Sequence, residues 1–379
     1  MADHLLSPQE AITKLLVSMG QLGASDLHLK VGNPPYYRVA GHLRRVEMPA
    51  LPNSEYLEKM MADLIPAGHK GKFDERGDLD FSTTGVGTGD RFRVNLYRSM
   101  GDVHAAIRRV QSKIPSFEEL HLPPIYREAI SNSVEGLILV SGVTGSGKSS
   151  SLAAMLQHIN ELRSMHIITV EDPVEYVFHP KKSIISQREI GIDIPSYAEA
   201  LRFVVRQDPD CILIGEMRDK ETMLAAIQAA ETGHLVLGSI HCSDAQQTFS
   251  RILEFFPRTE HAFIRSSLAN SLTAIMCQRL LPGIDPGKRF PATEVLLNNS
   301  VVKEKIVHEQ DEDLPALINQ CREEGMRSFT QSLCELIETE LVHYDTAMEH
   351  APSREALASM VKGIKTASAT LVGRIRAPR

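Results

Sequence analysis

The sequence lacks long apolar runs and an excess of positive charge. None of its hydrophobic segments approaches the roughly 18–20 residues that a membrane-spanning helix requires. Its 41 Lys and Arg residues against 48 Asp and Glu residues give a formal net charge of −7, which argues against a globally basic nucleic-acid-binding protein. We therefore expect no membrane span and no nucleic-acid partner.

Cysteine is also scarce. The chain holds five cysteines, an odd number with no Cys-x-x-Cys pair: Cys211, Cys242, Cys277, Cys321 and Cys334. Scattered thiols favour a reduced protein over a disulfide framework or a zinc site. The first residues carry neither the basic start nor the apolar segment of a secretory signal. These observations predict a cytoplasmic location.

With 379 residues, 42% hydrophobic and 23% charged, the chain has an ordinary globular composition and room for two or three domains. Residues 1–112 alternate short helical and strand patterns, which predicts a small α+β domain. The segment 113–124 contains three prolines, and we interpret it as a linker. We expect a second, larger core domain at 125–298, a helical region at 299–361 and a basic tail at 362–379.

From residue 125, apolar runs alternate with helical patterns, as in a parallel sheet. The expected strands are 137–141, 166–171, 211–215 and 235–240, and the helices between them are 150–162, 197–206 and 220–232. Beyond residue 244 the periodicity predicts helices at 246–255, 261–277, 314–324, 328–339 and 344–349. The tail has five basic residues and no acidic one, which suits a solvated segment or a contact with anionic lipid or an acidic partner.

A phosphate-binding loop follows the first strand of the core. Residues 142–149 read Gly-Val-Thr-Gly-Ser-Gly-Lys-Ser, the G-x-x-x-x-G-K-[ST] pattern between an apolar strand and a helix. Glycines permit the close backbone approach, and exposed N–H groups at a helix N-terminus attract phosphate. We expect Lys148 to reach the β- and γ-phosphates of ATP and Ser149 to bind Mg²⁺. The predicted nucleotide-binding residues are Gly142, Thr144, Gly145, Ser146, Gly147, Lys148, Ser149 and Ser150.

Two further strands end in acidic residues. The run 211–215 is followed by Glu216, placed as a carboxylate that holds Mg²⁺ or its water shell. The strand 166–171 ends in Glu171-Asp172-Pro173-Val174-Glu175, whose carboxylates suit metal contact or the positioning of an attacking water. These residues alone do not decide which acid has which role.

His241 and four arginines complete the candidate set. His241 follows the run 235–240, at the carboxyl edge where open α/β sheets bind ligands, which favours a γ-phosphate contact over a core histidine. Arg91, Arg93, Arg98 and Arg108 lie on strands of the first domain. They suit either a solvated face or arginine fingers that reach a neighbouring subunit's triphosphate.

Taken together and in this order, these segments resemble the secretion ATPase superfamily, and specifically the type IV pilus retraction (twitching-motility) ATPases of PilT/PilU type. Residues 142–149 stand at its Walker A motif and 215–219, with Glu216, at its atypical Walker B motif. Residues 171–175 resemble its aspartate box, which implies that Glu175 is the catalytic base. Residues 238–242 resemble its histidine box. The lines around Arg93 and Arg108 resemble those that supply arginines across the subunit boundary.

The resemblance implies a homo-hexamer in which each subunit has a PAS-like N-terminal domain and a RecA-like P-loop ATPase domain with a helical C-terminal extension. ATP would sit between the two domains and beside the next subunit. Hydrolysis would act on the inner-membrane platform protein to disassemble the pilus, so the protein would be peripheral at the inner membrane. In residues 300–307 the chain departs from the Ala-Ile-Arg-Asn-Leu-Ile-Arg-Glu-like helix usual in retraction motors.

Four alternatives stay open. An accessory motor of PilU type would work with a second retraction ATPase as a further partner. An assembly or secretion motor would usually carry a longer N-terminal region and often a tetracysteine zinc site, and neither is seen here. A nucleotide-gated regulatory module would bind ATP but turn it over poorly. A DNA-translocating motor is disfavoured by the net charge.

Overall fold

The computed structural model describes residues 6–39, 41–66, 69, 71–85, 90–110 and 113–363. The chain forms two compact units, Met1–Lys113 together with Glu175–Val177, and Ile114–Val174 together with Phe178–Arg379. The predicted tail at 362–379 lies outside the described residues apart from its first two.

The first unit is built on a six-stranded antiparallel sheet. Its strands are β1 (Ala24–Lys30), β2 (Tyr36–Val39), β3 (His42–Arg45), β4 (Asp78–Thr84), β5 (Arg91–Ser99) and β6 (Asp102–Arg109). They are ordered β3-β2-β1-β6-β5-β4. Its helices are α1 (Pro8–Leu22), α2 (Ser54–Met61) and α3 (Lys72–Arg76). Strand β5 alternates buried and more exposed residues, so its apolar side chains face the core and its arginines do not.

Helix α1 shows why the local sequence folds as it does. Ser7 caps the helix in a reciprocal pair with Glu10, and Pro8 occupies the first turn, where its missing N–H costs nothing. Leu15, Leu16 and their neighbours at helical spacing are buried on one face. Gly23 ends the helix in the left-handed conformation that glycine adopts without strain.

The second unit is built on a seven-stranded sheet. Its strands are β7 (Gly136–Ser141), β8 (His166–Glu171), β9 (Ile184–Glu189), β10 (Cys211–Ile214), β11 (Leu235–Ile240), β12 (Leu272–Pro282) and β13 (Arg289–Leu297). They are ordered β13-β12-β7-β11-β10-β8-β9, and every neighbouring pair is parallel except β12 with β13. Every residue of β7, β10 and β11 is buried, as expected when helices cover both faces of a parallel sheet.

Eleven α-helices of the second unit are described. They are α4 (Ile125–Asn132), α5 (Lys148–Leu162), α6 (Tyr197–Val204), α7 (Lys220–Glu231), α8 (Ala245–Glu254), α9 (His261–Ser271), α10 (Ser300–Val307), α11 (Leu314–Gln320), α12 (Phe329–Glu338), α13 (Tyr344–His350) and α14 (Arg354–Val361). The four strands predicted by sequence at 137–141, 166–171, 211–215 and 235–240 are confirmed within one residue by β7, β8, β10 and β11.

The helix predicted at 261–277 is wrong in its second half. Helix α9 ends at Ser271, and β12 begins at the next residue, between β7 and β13. The side chain of Asn298 donates to the carbonyl oxygens of Ala269 (3.0 Å) and Leu272 (2.6 Å), which occupies acceptors at the end of the helix. Because Asn298 is 26 residues from Leu272 in sequence, local periodicity could not reveal this end point. Strands β9 and β13 and helices α4, α10 and α14 were also not predicted.

Candidate functional site

The turn between β7 and α5 has the form of a phosphate-binding loop. Gly142, Gly145 and Gly147 have φ values of 154°, 79° and 90°, all in the range that favours glycine. A Cβ atom at Gly142 would lie 2.4 Å from the Ser146 Oγ and 2.5 Å from the backbone oxygen of Gln278. The loop is therefore closed tightly enough at Gly142 that no larger residue fits.

Lys148 lies inside this loop. Its side chain is largely buried, and its Nζ donates to the carbonyl oxygens of Gly142 (2.8 Å) and Val143 (3.1 Å). The ammonium group thus faces the concave side of the loop, at the N-terminus of α5, where the helix dipole also favours an anion. Ser149 is exposed in the first turn of α5, and Ser150 is half-buried beside it.

One buried polar atom in the loop has no partner among the described residues. The Ser146 Oγ is buried and makes no hydrogen bond. An unpaired buried hydroxyl costs free energy unless a ligand supplies a partner. The glycine cradle, the inward Lys148 and this hydroxyl together fit the phosphates of a nucleotide.

Glu216 and His241 meet at the carboxyl edge of the sheet, as the sequence predicted from the ends of β10 and β11. The His241 Nε2 is 3.2 Å from the Glu216 Oε1, and the His241 Nδ1 is 3.5 Å from the Lys148 Nζ. Arg218, which was not among the predicted site residues, donates from its Nη2 to the Glu216 Oε2 at 2.5 Å. The four side chains form a continuous polar chain beside the loop.

The charge of Glu216 is stabilised by this chain. Burial acts to raise the pKa of Glu216, but the Arg218 hydrogen bond and the charges of His241, Arg218 and Lys148 outweigh it and hold the pKa below 4.5. Glu216 is therefore an ionised carboxylate, with its side chain 18% exposed. Such a group can bind a cation or orient a water molecule.

The acidic segment after β8 divides its carboxylates between two environments. Glu171 is buried and accepts hydrogen bonds from the Thr169 Oγ1 (2.6 Å) and the Gln187 Nε2 (3.1 Å). Tyr197, whose pKa is raised by burial and then by the nearby charges of Asp172, Glu216 and Glu171, stands beside this acidic edge. Glu175, by contrast, is exposed and belongs to the first unit.

The first unit contains a cavity of about 230 Å³ that brings Glu175 together with two of the four predicted arginines. Its lining residues are Arg93, Arg108, Arg109, Val110, Glu175 and Tyr176. Arg93 and Arg108 lie directly opposite each other on β5 and β6. The Arg108 Nε donates to Asp26 at 2.8 Å, and the Arg109 Nε donates to Asp90 at 2.6 Å. Arg91 and Arg98 do not line this cavity.

Asp26 holds Arg108 as an ionised partner. Burial acts to raise the pKa of Asp26, but hydrogen bonds from Ser25 and Arg108 outweigh it and lower the pKa below 3.8. The side chain of Arg108 is nevertheless 66% exposed. One face of its guanidinium group is therefore anchored while the remainder is accessible to an anion.

Gln278 also touches the loop and was not among the residues predicted from sequence. It lies on β12, is 1% exposed, donates from Nε2 to the Ser146 carbonyl oxygen (2.7 Å) and accepts at Oε1 from the Ser151 Oγ (2.9 Å). A polar residue inside the apolar run of 272–281 was the available signal. Because residues 261–277 were predicted to form a helix, this polar residue was not recognised as part of a strand beside the loop.

Among the described residues, no group of three or more His, Cys, Asp or Glu side chains forms a metal cluster. No helix in the described ranges has both the length and the hydrophobicity that a bilayer crossing requires.

Comparison with known proteins agrees with this geometry. The chain is 38% identical over 340 residues to the type IV pilus retraction ATPase PilT of Pseudomonas aeruginosa, covering 90% of this chain and 98% of that protein. It is 37% identical over 349 residues to the type IV pilus ATPase PilU of the same organism, covering 92% of this chain and 91% of that one. The crystal structure of the pilus retraction motor PilT with bound ADP matches with a TM-score of 0.86 at 40% identity, over 92% of this chain and 99% of that one.

The resemblance drawn from the sequence motifs is thereby confirmed. A family described as type II/IV secretion system protein matches residues 4–368. This chain belongs to that family of secretion and pilus ATPases.

Proposed function

We propose that this chain is an ATP-hydrolysing motor that powers type IV pilus retraction and so twitching motility. The observation that carries the proposal is the phosphate loop with Lys148, Glu216 and His241 gathered at one edge of the sheet. It occurs in a chain that aligns with 98% of a pilus retraction ATPase. Both parts are needed, because phosphate loops alone serve many kinds of ATPase.

The proposed division of labour follows the chemistry of each group. Residues 142–150 hold the phosphates of ATP, with Lys148 as the cation that contacts them. Mg²⁺ would be held by oxygen ligands from Ser149 and Glu216, since hard cations prefer such donors. Mg²⁺ supplies charge neutralisation on the phosphates when it is bound. His241, whose Nε2 lies 3.2 Å from the Glu216 Oε1, is proposed to contact the γ-phosphate.

Glu175 is the proposed general base, whereas Glu171, the other catalytic candidate of this segment, is proposed to be a positioning residue. The exposed carboxylate of Glu175 can accept a proton from an attacking water. Glu171 is buried and already accepts two hydrogen bonds, so we assign it to holding the end of β8 in place.

The assembly is proposed to be a homo-hexamer, since motors of this family couple hydrolysis to work in rings. The first unit corresponds to a PAS-like domain, and the second to a RecA-like ATPase core at 125–298 with a helical extension at 299–361. Arg93 and Arg108 of a neighbouring subunit are proposed to stabilise charge on the transferred phosphate. The ring is placed in the cytoplasm, peripheral to the inner membrane, where the pilus platform protein is its partner.

Two substitutions test the ATPase. Lys148→Ala removes the cation from the loop and is expected to weaken ATP and ADP binding at least tenfold, measured by calorimetry. Glu175→Ala is expected to keep nucleotide affinity and to lower turnover by about 10²-fold or more. Normal affinity in the first variant refutes the phosphate-loop assignment, and normal turnover in the second removes Glu175 from catalysis. A wild-type protein that binds but does not hydrolyse ATP would instead be a regulatory module.

An accessory motor, which works with a second retraction ATPase, is the alternative that particular observations favour. The chain is nearly as similar to PilU as to PilT, and α10 (Ser300–Val307) has an altered sequence at the position of the family's retraction helix. Deletion of the gene separates the two. Hyperpiliation without twitching indicates the primary motor, and normal piliation with weakened retraction force indicates the accessory one.

A further inference from the structure

We infer that Gln278 is a positioning residue for the phosphate loop. It holds the peptide unit at Ser146 so that the loop is shaped for phosphate before any nucleotide arrives. This inference rests on the proposed nucleotide-binding role of the loop and adds a residue of β12, outside the loop motif, to that site.

The first support is the pair of contacts made by one amide. The Gln278 Nε2 donates to the Ser146 carbonyl oxygen, inside the loop, and its Oε1 accepts from the Ser151 hydroxyl, in the first turns of α5. A single buried side chain thus ties the loop to the start of the helix that follows it. Since one end donates and the other accepts, only an amide of this length satisfies both partners.

The second support is the geometry of the peptide unit. In a trans peptide the C=O and N–H point in opposite directions. When the Ser146 carbonyl is drawn toward Gln278, the N–H of Gly147 is therefore turned away from β12. Backbone N–H groups of this loop are the hydrogen-bond donors expected to contact phosphate. Holding the Ser146 carbonyl in place therefore also fixes the direction of the Gly147 N–H.

The third support is how closely β12 approaches the loop. The Gln278 backbone oxygen would lie 2.5 Å from a Cβ at Gly142, and its Nε2 would lie 3.1 Å from a Cβ at Gly147. Gly142 and Gly147, the two fixed glycines of the G-x-x-x-x-G pattern, are thus packed against this one residue. Strand β12 pairs with β7 in parallel, with Cys277 opposite Ser141, so the sheet itself sets this register.

Without Gln278, the binding of a nucleotide would itself have to order the loop. The free energy of this ordering would be subtracted from the nucleotide affinity. Gln278→Met keeps the side-chain volume and removes both hydrogen bonds. We expect the dissociation constant for ADP, measured by calorimetry without turnover, to rise about tenfold or more, as for the loss of one well-placed hydrogen bond. The turnover number at saturating ATP is expected to fall less than the affinity, because no reacting atom loses a contact.

Two matched variants separate positioning from general destabilisation. Ser332→Ala removes a different buried hydrogen bond of the same unit, from the Thr293 backbone N–H to the Ser332 hydroxyl (2.9 Å). It is expected to lower stability similarly and leave ADP affinity unchanged. Ser151→Ala loses only the helix end of the Gln278 bridge and is expected to change ADP affinity less than threefold, or about 0.6 kcal/mol.

The result that overturns the inference is an ADP dissociation constant in Gln278→Met equal to that of the wild type, or one that rises equally in Ser332→Ala. If Gln278→Met does not fold, Gln278→Asn, which shortens the amide by one methylene, is measured in the same way with the same criterion. Wild-type binding of ADP and its loss in Lys148→Ala test the proposed function separately. A protein that passes that test with an unaffected Gln278 variant would refute this inference alone.

Discussion

Gly142 carries the strongest steric constraint in the phosphate loop. A Cβ there would lie 2.4 Å from the Ser146 Oγ and 2.5 Å from a backbone oxygen of β12. We expect Gly142→Ala to lower the free energy of unfolding by about 2–3 kcal/mol, from overpacking and backbone strain, and to abolish measurable ADP binding. Chemical denaturation and calorimetry measure the two effects.

Gly145 supplies the matched control in the same loop. Its φ of 79° is also left-handed, but a Cβ there would meet no atom within 4 Å. Gly145→Ala is expected to cost about 1 kcal/mol, from backbone strain alone. Equal losses in the two alanine variants would show that conformation, rather than contact with β12, makes Gly142 necessary.

Glu294 predicts a pH dependence of stability. Burial raises the pKa of Glu294 above 4.5, and its hydrogen bond from the Ala245 backbone N–H only partly opposes this. The folded state therefore binds this proton more tightly than the unfolded state does. Its contribution is full below pH 4.5 and is lost as the pH rises through the raised folded pKa, because above that pKa an ionised carboxylate is buried.

Glu294→Gln should accordingly stabilise the protein at pH 7, which raises its melting temperature above that of the wild type. Below pH 4.5, where both residues are neutral, the advantage should vanish. Thermal unfolding across pH measures it, with the exposed Glu304→Gln on α10 as control. An advantage that is independent of pH would contradict the assignment.

At the scale of elements, Arg279 joins three parts of the second unit. From β12 its guanidinium donates to the carbonyl oxygens of His350 (2.8 Å), the last residue of α13, and Ser243 (3.3 Å), before α8. It also lies 4.3 Å from the ring centroid of Phe329, at the start of α12. Arg279→Met should destabilise the unit by about 2–3 kcal/mol, since it leaves two carbonyls unpaired and removes a cation–π contact.

Denaturant unfolding gives this value directly. Arg289→Met, on the neighbouring strand β13, is the control because Arg289 is exposed. It should change stability by less than about 0.5 kcal/mol. If both substitutions have the same small effect, Arg279 does not join the helical region to the sheet.

The elements that sequence predicted well are those whose signals are local. Strand β7, the glycine turn and α5 follow from an apolar run, a motif and helical periodicity within 26 residues of one another. Glu216 and His241 could be placed together because the carboxyl ends of parallel strands share an edge. Strand β12 could not be predicted, because its apolar residues satisfy both periodicities and only pairing with β7 and β13 decides between them.

The missed site residues fail for the same physical reason. Gln278 acts through Ser146, which precedes it by 132 residues, so its polar side chain in an apolar run could not reveal which part of the chain it contacts. Arg218 is two residues from Glu216, but nothing in the sequence distinguishes it from an ordinary solvated arginine. Its side chain is indeed 68% exposed in the structure. The sequence shows where a residue lies in a motif, but it does not show the direction in which the side chain of that residue points.

At the scale of the whole molecule, the proposed ring makes a prediction about shared sites. Arg93→Ala and Glu175→Ala should each be inactive alone, but their mixture should recover activity if one subunit supplies the arginine and its neighbour the glutamate. Random mixing at equal amounts leaves about one quarter of such sites intact.

A mixture of Lys148→Ala with Glu175→Ala is the control and should stay inactive, because we assign both residues to the site of a single subunit. Within one copy, Arg93 and Glu175 line the same cavity. Failure of the first mixture, with both variants shown to assemble together, would therefore mean that each subunit uses its own arginine.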